Sequence, residues 1–276
     1  ETLPTFRSRV RLPSLAPFYN FMRFFNPKRI EHFFKKSLSF VESFTLKRRA
    51  ERFFKEKTEP EILILEDLVN SGRASIDIGV YRGVYSYHLL KHSEFVYSFE
   101  ANPLLISKLN KGFKNFNNIK IENFAISSSS GQTQLKIPFR DESADYDYEQ
   151  KYQLGIASIH SENHLQELKY HTIDVQKITL DEYNFNHKIG FIKIDVEGHE
   201  MDIIKGAKNL LGRDKPNLLI EIEEKHTGIL PQLAISEIKK YGYECFILNK
   251  KFELEEVNEK EDFKFNNYNF IFKPIQ

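Results

Sequence analysis

The sequence predicts an α/β fold built on a mostly parallel β-sheet. Two observations carry that prediction. From about residue 74 onward, apolar strand-like runs alternate with stretches of helical periodicity, and the first strand ends in a glycine turn that leads straight into a helix. A βαβαβ order of this kind closes into a parallel sheet with right-handed crossovers. A chain of 276 residues can bury one full core, so one main domain with an appendage is expected.

Taken in order, the elements begin with an arm. Pro4, Pro13, Pro17 and Pro27 punctuate the first stretch and predict irregular chain with at most short helices. From Arg29 to about Lys57 there is neither Gly nor Pro, and Ile30, Phe33, Phe34, Leu38, Val41, Phe44, Phe53 and Phe54 recur at roughly helical spacing, which predicts one or two amphipathic helices. Pro60 suits the first turn of a short helix over 61–69, closed by Ser71-Gly72. Residues 74–78 then read as a buried strand, 84–91 as a helix and 95–99 as a second strand. A helix opened by Pro103 runs to about Phe113, and a third strand begins at Ile119. Residues 127–177 break the rhythm with the turn Ser130-Gly131, a strand over 133–137 and an acidic, Tyr-containing loop or lid over 140–153. Alternation resumes with a strand at 190–194, a helix at 200–211, a strand at 217–222, a helix at 233–241 and strands at 243–248 and 268–272. The chain thus divides into a basic, aromatic helical arm, 1–59, and an α/β domain, 60–276.

Composition narrows the functional classes. Apolar residues make up 41% and charged residues 29%, as in ordinary water-soluble proteins, and no apolar run is long enough to span a bilayer. The lone Cys245 cannot form an internal disulfide, so a reducing cytoplasm is the expected compartment. The net charge of +1 conceals an asymmetry: residues 1–57 hold 14 Lys and Arg against 5 Glu, leaving −8 for the rest. A basic, Phe-rich arm suits a helix packed on the domain with a solvated basic face, and after that peripheral contact with an anionic membrane surface or an acidic glycan. The acidic domain would repel phosphate, so no nucleic-acid partner is expected.

The run Asp77-Ile78-Gly79-Val80-Tyr81-Arg82-Gly83 lies where strand gives way to helix. Glycine permits a sharp turn and close approach of a ligand, and the helix start offers free N–H groups. Glu100 ends the second strand 23 residues after Asp77, the place from which an acid takes both hydroxyls of a ribose. No G-x-G-x-x-G occurs, so a nucleoside without a diphosphate, such as S-adenosylmethionine, fits better than NAD or FAD.

Together with Ser98-Phe99-Glu100-Ala101-Asn102-Pro103, Asn123-Phe124-Ala125-Ile126-Ser127, Thr179-Leu180-Asp181-Glu182-Tyr183, Lys193-Ile194-Asp195-Val196-Glu197-Gly198-His199-Glu200 and Lys205-Gly206-Ala207, this turn resembles the FkbM-type methyltransferases over about residues 60–273. The resemblance implies a Rossmann-like class I methyltransferase sheet, seven-stranded with an antiparallel last strand. It also implies methyl transfer from S-adenosylmethionine to a hydroxyl of a saccharide or glycosylated natural product. Carried across, Asp77, Gly79 and Gly83 would lie at the methionine end and Glu100 at the ribose, with Asn102 beside it and Asn123 and Ala125 at the adenine, and Tyr81 is a further cofactor-binding candidate. The family's usual turn is Asp-Val-Gly-Ala-Asn-x-Gly, from which Val80 and Tyr81 depart.

Methyl transfer to an alcohol requires a hydroxyl that is oriented and loses its proton. Such groups belong on loops at the carboxyl ends of the strands. Asp195, Glu197 and His199 occupy one such loop, and His226 lies beyond the next strand; these are the catalytic candidates. For Glu197 and Glu200 a capping role at the first helical turn competes with chemistry. Ser158, His160, Glu221 and Glu223 are candidates for the acceptor pocket. Asp195, Glu221, Glu223 and His226 supply oxygen and nitrogen donors, but at no spacing typical of a metal motif, so no metal is predicted. Rival readings are a nucleotide-sugar oxidoreductase on a similar sheet and a non-catalytic scaffold recruited to glycan or membrane by the arm.

Overall fold

A computed structural model describes residues 27–139, 151–160, 169–228, 230–257 and 268–275. The arm before Pro27 and most of the expected lid, 140–150, lie outside the described residues. One helix, α1 (Pro27–Glu56), is followed by a 3₁₀ turn at Pro60–Ile64 that runs into the short α2 (Leu65–Leu68). Strand β1 (Ala74–Ile78) leads to α3 (Val84–Leu89), β2 (Val96–Phe99), α4 (Pro103–Gly112), β3 (Ile119–Glu122), β4 (Ala125–Ile126) and β5 (Gly131–Pro138). After a 3₁₀ turn at Leu154–Ile156 come β6 (Tyr170–Ile178), β7 (Ile189–Ile194), α5 (Glu200–Lys205), α6 (Lys208–Asp214), β8 (Asn217–Glu221) and α7 (Glu224–Thr227). The chain closes with α8 (Pro231–Lys239), β9 (Tyr243–Leu248), β10 (Leu254–Glu256) and β11 (Asn269–Pro274).

The main sheet has the order β10-β9-β11-β8-β7-β1-β2-β3. β3, β2, β1, β7 and β8 run parallel, and β11 lies antiparallel between β8 and β9. These seven strands match the expected sheet, and an eighth, β10, extends its edge by an antiparallel hairpin from β9. Both faces are covered, as a parallel sheet requires. Along β7, β8 and β11, residues Ile192, Ile194, Leu218, Ile220, Phe270 and Phe272 pack with α5, α6 and α8, whereas Phe191, Leu219 and Ile271 pack with the 3₁₀ turn, α2 and α3. This alternation is the period-2 pattern of a strand buried on both sides.

The rhythm-breaking segment forms a second sheet, β4-β6-β5, in which β5 and β6 pair antiparallel. Strand β6, within the segment expected to break the rhythm, pairs along the whole length of β5. The single helix expected over 200–211 is two helices, α5 and α6. The break falls at Gly206, where a Cβ would lie 2.1 Å from the Ser127 carbonyl oxygen. Ala207 offers α6 no side-chain cap, and Asp181 supplies it instead, accepting the N–H groups of Asn209 (2.9 Å) and Leu210 (2.8 Å). The motif acid Asp181 is thus a capping residue.

Helix α1 packs on α3 and α4, burying Leu46 and Ala50, and the Ala50 carbonyl meets Nε2 of His88 at 3.0 Å. Phe40, Val41 and Phe44 of this helix are exposed, and the partly exposed Phe54 stacks on His88. No helix among the described residues is long and apolar enough to cross a membrane.

Candidate functional site

A cleft of about 170 Å³, open to solvent, lies across the carboxyl ends of β1, β2, β7 and β8. One wall is the glycine turn and the tip of β2. Gly79 there has φ +81°, and a Cβ on it would fall 1.7 Å from the Asp195 carbonyl oxygen, so the close approach of β1 to β7 admits no side chain. Tyr81 is also left-handed, with φ 49°, a conformation that disfavours a bulky residue. It is held there by its own N–H, which donates to Oε2 of Glu100 at 2.7 Å. The other oxygen of Glu100 accepts the N–H of Asn102 at 2.8 Å. Burial pushes the Glu100 carboxyl up to about 7, against the two backbone donors that favour its ionised form.

Beneath the turn runs a buried polar chain. Asp77 is fully buried, accepts from Ser86 Oγ at 2.5 Å, and lies 4.0 Å from Nζ of Lys193. Burial raises the Asp77 carboxyl above its ordinary range despite the Lys193 charge. Lys193, 5% exposed within the all-buried strand β7, reaches Asp195 Oδ2 at 2.8 Å and carries its ammonium 5.0 Å above the Tyr85 ring. Its pKa is raised: burial works against the charge, but Asp195 and Asp77 outweigh it.

The facing wall is a set of carboxylates. Asp195 and Glu221 share a hydrogen bond. Burial and then the Asp195 charge push Glu221 up to about 10, so it holds a proton at neutral pH. Burial also opposes ionisation of Asp195, but Lys193 and the Glu221 hydrogen bond hold it below the usual carboxylate range. Glu197, left-handed at φ 59°, meets Nε2 of His226 at 2.8 Å, and His226 also lies 3.3 Å from Glu223. Burial works against charge on His226, yet the Glu197 hydrogen bond raises its pKa. Glu200 turns away from the cleft and accepts the N–H of Gly198 at 2.9 Å, closing the loop before α5.

Segment 151–160 and β5 roof the cleft with Leu135, Leu154, Gly155, Ala157 and Ile159. Ser158 fastens this roof: its Oγ donates to the Glu197 carbonyl at 2.8 Å, and its backbone pairs with Lys136. Nε2 of His199 lies 3.0 Å from Ser127 Oγ, and burial pushes this imidazole down to about 4.

A family model described as the methyltransferase FkbM domain matches residues 77–245, more than half of the chain. The chain belongs to the FkbM methyltransferase family. The family's methyl donor is S-adenosylmethionine. Among solved structures the chain is similar to methyltransferase FkbM from Methylobacillus flagellatus KT, at 13% identity and a TM-score of 0.46. That match covers 74% of this chain and 44% of the other, so the chain spans less than half of the length of that protein. It is also similar to SMU.1697c of Streptococcus mutans, named as a methyltransferase and solved with SAH (10% identity, TM-score 0.44, 78% and 96% covered). An rRNA methylase of Streptococcus thermophilus is a third (13% identity, TM-score 0.42, 79% and 96% covered). Comparison with curated protein sequences finds no match.

Of the residues expected at the cofactor, Gly79, Tyr81, Glu100 and Ala125 line the cleft, while Asp77 is buried in the chain beneath it. Gly83 is the left-handed residue before α3 and faces Phe113. Asn102 caps α4 by accepting the N–H of Leu104, and Asn123 donates to the carbonyls of Glu100 and Ala101. Asp195, Glu197, His199 and Glu221 line the cleft, and His226 and Glu223 stand behind Glu197. Ser158 is buried in the roof, with the backbone of His160 donating to its Oγ. Glu59, which lines the cleft from the end of the arm, carries no sequence signal, whereas Lys193, which braces Asp195 from within β7, has one, a charge inside an apolar strand.

Proposed function

We propose that this chain transfers the methyl group of S-adenosylmethionine to a hydroxyl of a saccharide or glycosylated natural product. The observation that carries the reading is one cleft with Glu100 at one end and the ionised Asp195, braced by Lys193, at the other. The residues present fit the cofactor. Each Glu100 oxygen accepts one backbone N–H and retains a lone pair for a ribose hydroxyl, and Phe124, Ala125 and Ile126 offer an apolar wall to an adenine. Bound S-adenosylmethionine supplies an electrophilic methyl on a sulfonium.

The chain's own residues do the rest. Asp195 would orient the acceptor hydroxyl and take its proton as the O–CH₃ bond forms and the S–CH₃ bond breaks, leaving a neutral thioether, with Glu221 donating a hydrogen bond to Asp195 and Lys193 fixing its position. His226 holds Glu197 toward the same wall. An acidic acceptor wall suits a neutral polyol and disfavours a polyanion. The exposed Phe40, Val41 and Phe44 beside Lys47 and Arg48 suit peripheral contact of α1 with an anionic surface.

Incubation with methyl-labelled S-adenosylmethionine and a panel of neutral saccharides and glycosides tests the reading. Label in a base-stable methyl ether is the expected result. Label only in RNA or in a carboxyl ester would overturn the acceptor class, and no cofactor binding at millimolar concentration would overturn the enzyme.

A further inference from the structure

We infer that His160, His199 and Asp202 form a binding site for a divalent first-row transition ion of the zinc or cobalt type, tying the cleft roof to the first turn of α5. One ligand atom from each residue lies within 4.8 Å of the other two. Nδ1 of His199 is 3.6 Å from Asp202 Oδ2, close to the roughly 3.3 Å between ligands that sit about 2.0 Å from a tetrahedral metal. The His160 ring lies 6.1 Å from that of His199, centroid to centroid, with a ring nitrogen inside the same cluster.

The surroundings are those of a ligand set. Nδ1 of His199 is buried and has no hydrogen-bond partner, an arrangement that costs free energy unless something fills it. The opposite ring nitrogen meets Ser127 Oγ at 3.0 Å. In the tautomer that donates Nε2–H to Ser127, Nδ1 presents its lone pair to Asp202 and His160, as in metal sites where a second partner fixes the imidazole. Lys205 Nζ meets Asp202 Oδ1 at 3.3 Å, Ser128 also hydrogen-bonds this carboxylate, and Oδ2 is the oxygen that faces His199. Two imidazoles and one carboxylate favour zinc, cobalt or iron(II) over calcium or magnesium, which take oxygen sets. The three residues come from two separate stretches, the roof at 160 and the start of α5 at 199–202, so an ion here would staple one to the other.

Binding of metal is independent of the methyl-transfer reading and is tested without turnover. Untagged full-length chain, stripped with a chelator, is titrated with Co²⁺ and followed by visible absorption, then by Zn²⁺ displacement and equilibrium dialysis. The expected result is one ion per chain with d–d bands of a four- or five-coordinate site. His160→Ala and Asp202→Ala should each weaken binding at least about 100-fold, and Ser127→Ala about tenfold, as loss of an outer partner does. Far-UV circular dichroism confirms that each variant is folded. His171→Ala, on the exposed strand β6, should bind as the parent does. Absence of binding at 100 µM metal would overturn the site, as would folded His160→Ala and Asp202→Ala proteins that bind like the parent, or loss of binding in His171→Ala.

Discussion

Where β1 and β2 end, the cleft wall is main chain gathered by one carboxylate: Glu100 takes the N–H groups of Tyr81 and Asn102, and Gly79 lies against a neighbouring carbonyl. Where β7 and β8 end, the wall is made of side chains whose charges set one another's protonation, with Lys193, Asp195 and Glu221 in contact and Glu197 and His226 beside them. The first wall fixes shape with little freedom to move. The second fixes charge, and its groups are ordered because each would be costly to bury alone. Under the proposed function, the first construction suits a binding surface for an invariant cofactor and the second a reactive surface for the acceptor.

The sharpest way to break the contrast is Gly79→Ala. With its Cβ 1.7 Å from a backbone oxygen, the variant must push β1 from β7, and a loss of at least about 4 kcal/mol or outright failure to fold is expected in urea titration. Lys193→Met should follow. It leaves Asp77 and Asp195 without their cation, and removal of one partner from a buried ion pair costs about 3–5 kcal/mol. The same denaturation curves read it.

Next comes the functional division between the walls. Glu100→Ala should weaken S-adenosylmethionine binding by about 100-fold in calorimetry, since hydrogen bonds to a charged group are worth about 1.5–3 kcal/mol each. Asp195→Ala should leave that affinity within about threefold and cut turnover by about 100-fold, the lower end for a general base. If the two variants swap phenotypes, the assignment of the walls is reversed.

The smallest effect is a pH dependence. The folded chain holds the Glu100 proton up to about pH 7, whereas an unfolded chain releases it near 4.5. This group therefore favours the fold below about pH 4.5 and loses that contribution as pH rises to about 7. Ribose hydroxyls are accepted best by the carboxylate, so cofactor affinity should climb by up to about tenfold between pH 6 and 8 and level off above. Glu100→Gln should flatten the profile.

Much of the fold was legible because it is written locally. The alternation of apolar runs, the helix-opening Pro103 and the strand-end acids mark elements whose periodicity does not depend on distant partners. The departure at Tyr81 from the family's Asn was visible too, and the structure gives its cost: a left-handed tyrosine, retained by the bond to Glu100. The double helix at 200–214 was not legible, since the contact that breaks it is with Ser127, far away in the chain. The second sheet was half legible, as β5 shows its turn and strand while β6 carries the exposed, polar pattern of a strand with little core behind it.

By itself, the sequence determined the parallel sheet, the order of its elements, the glycine turn and the acid facing it, because strand and helix periods and turn chemistry are properties of neighbours in the chain. Only the tertiary structure decided which charges meet. It sent Asp77 beneath the turn and Glu59 into the cleft, set Lys193 beside Asp77, and brought His160 beside His199 and Asp202. Those outcomes depend on contacts between segments tens of residues apart, where burial and charge pairing act on whatever the fold brings together.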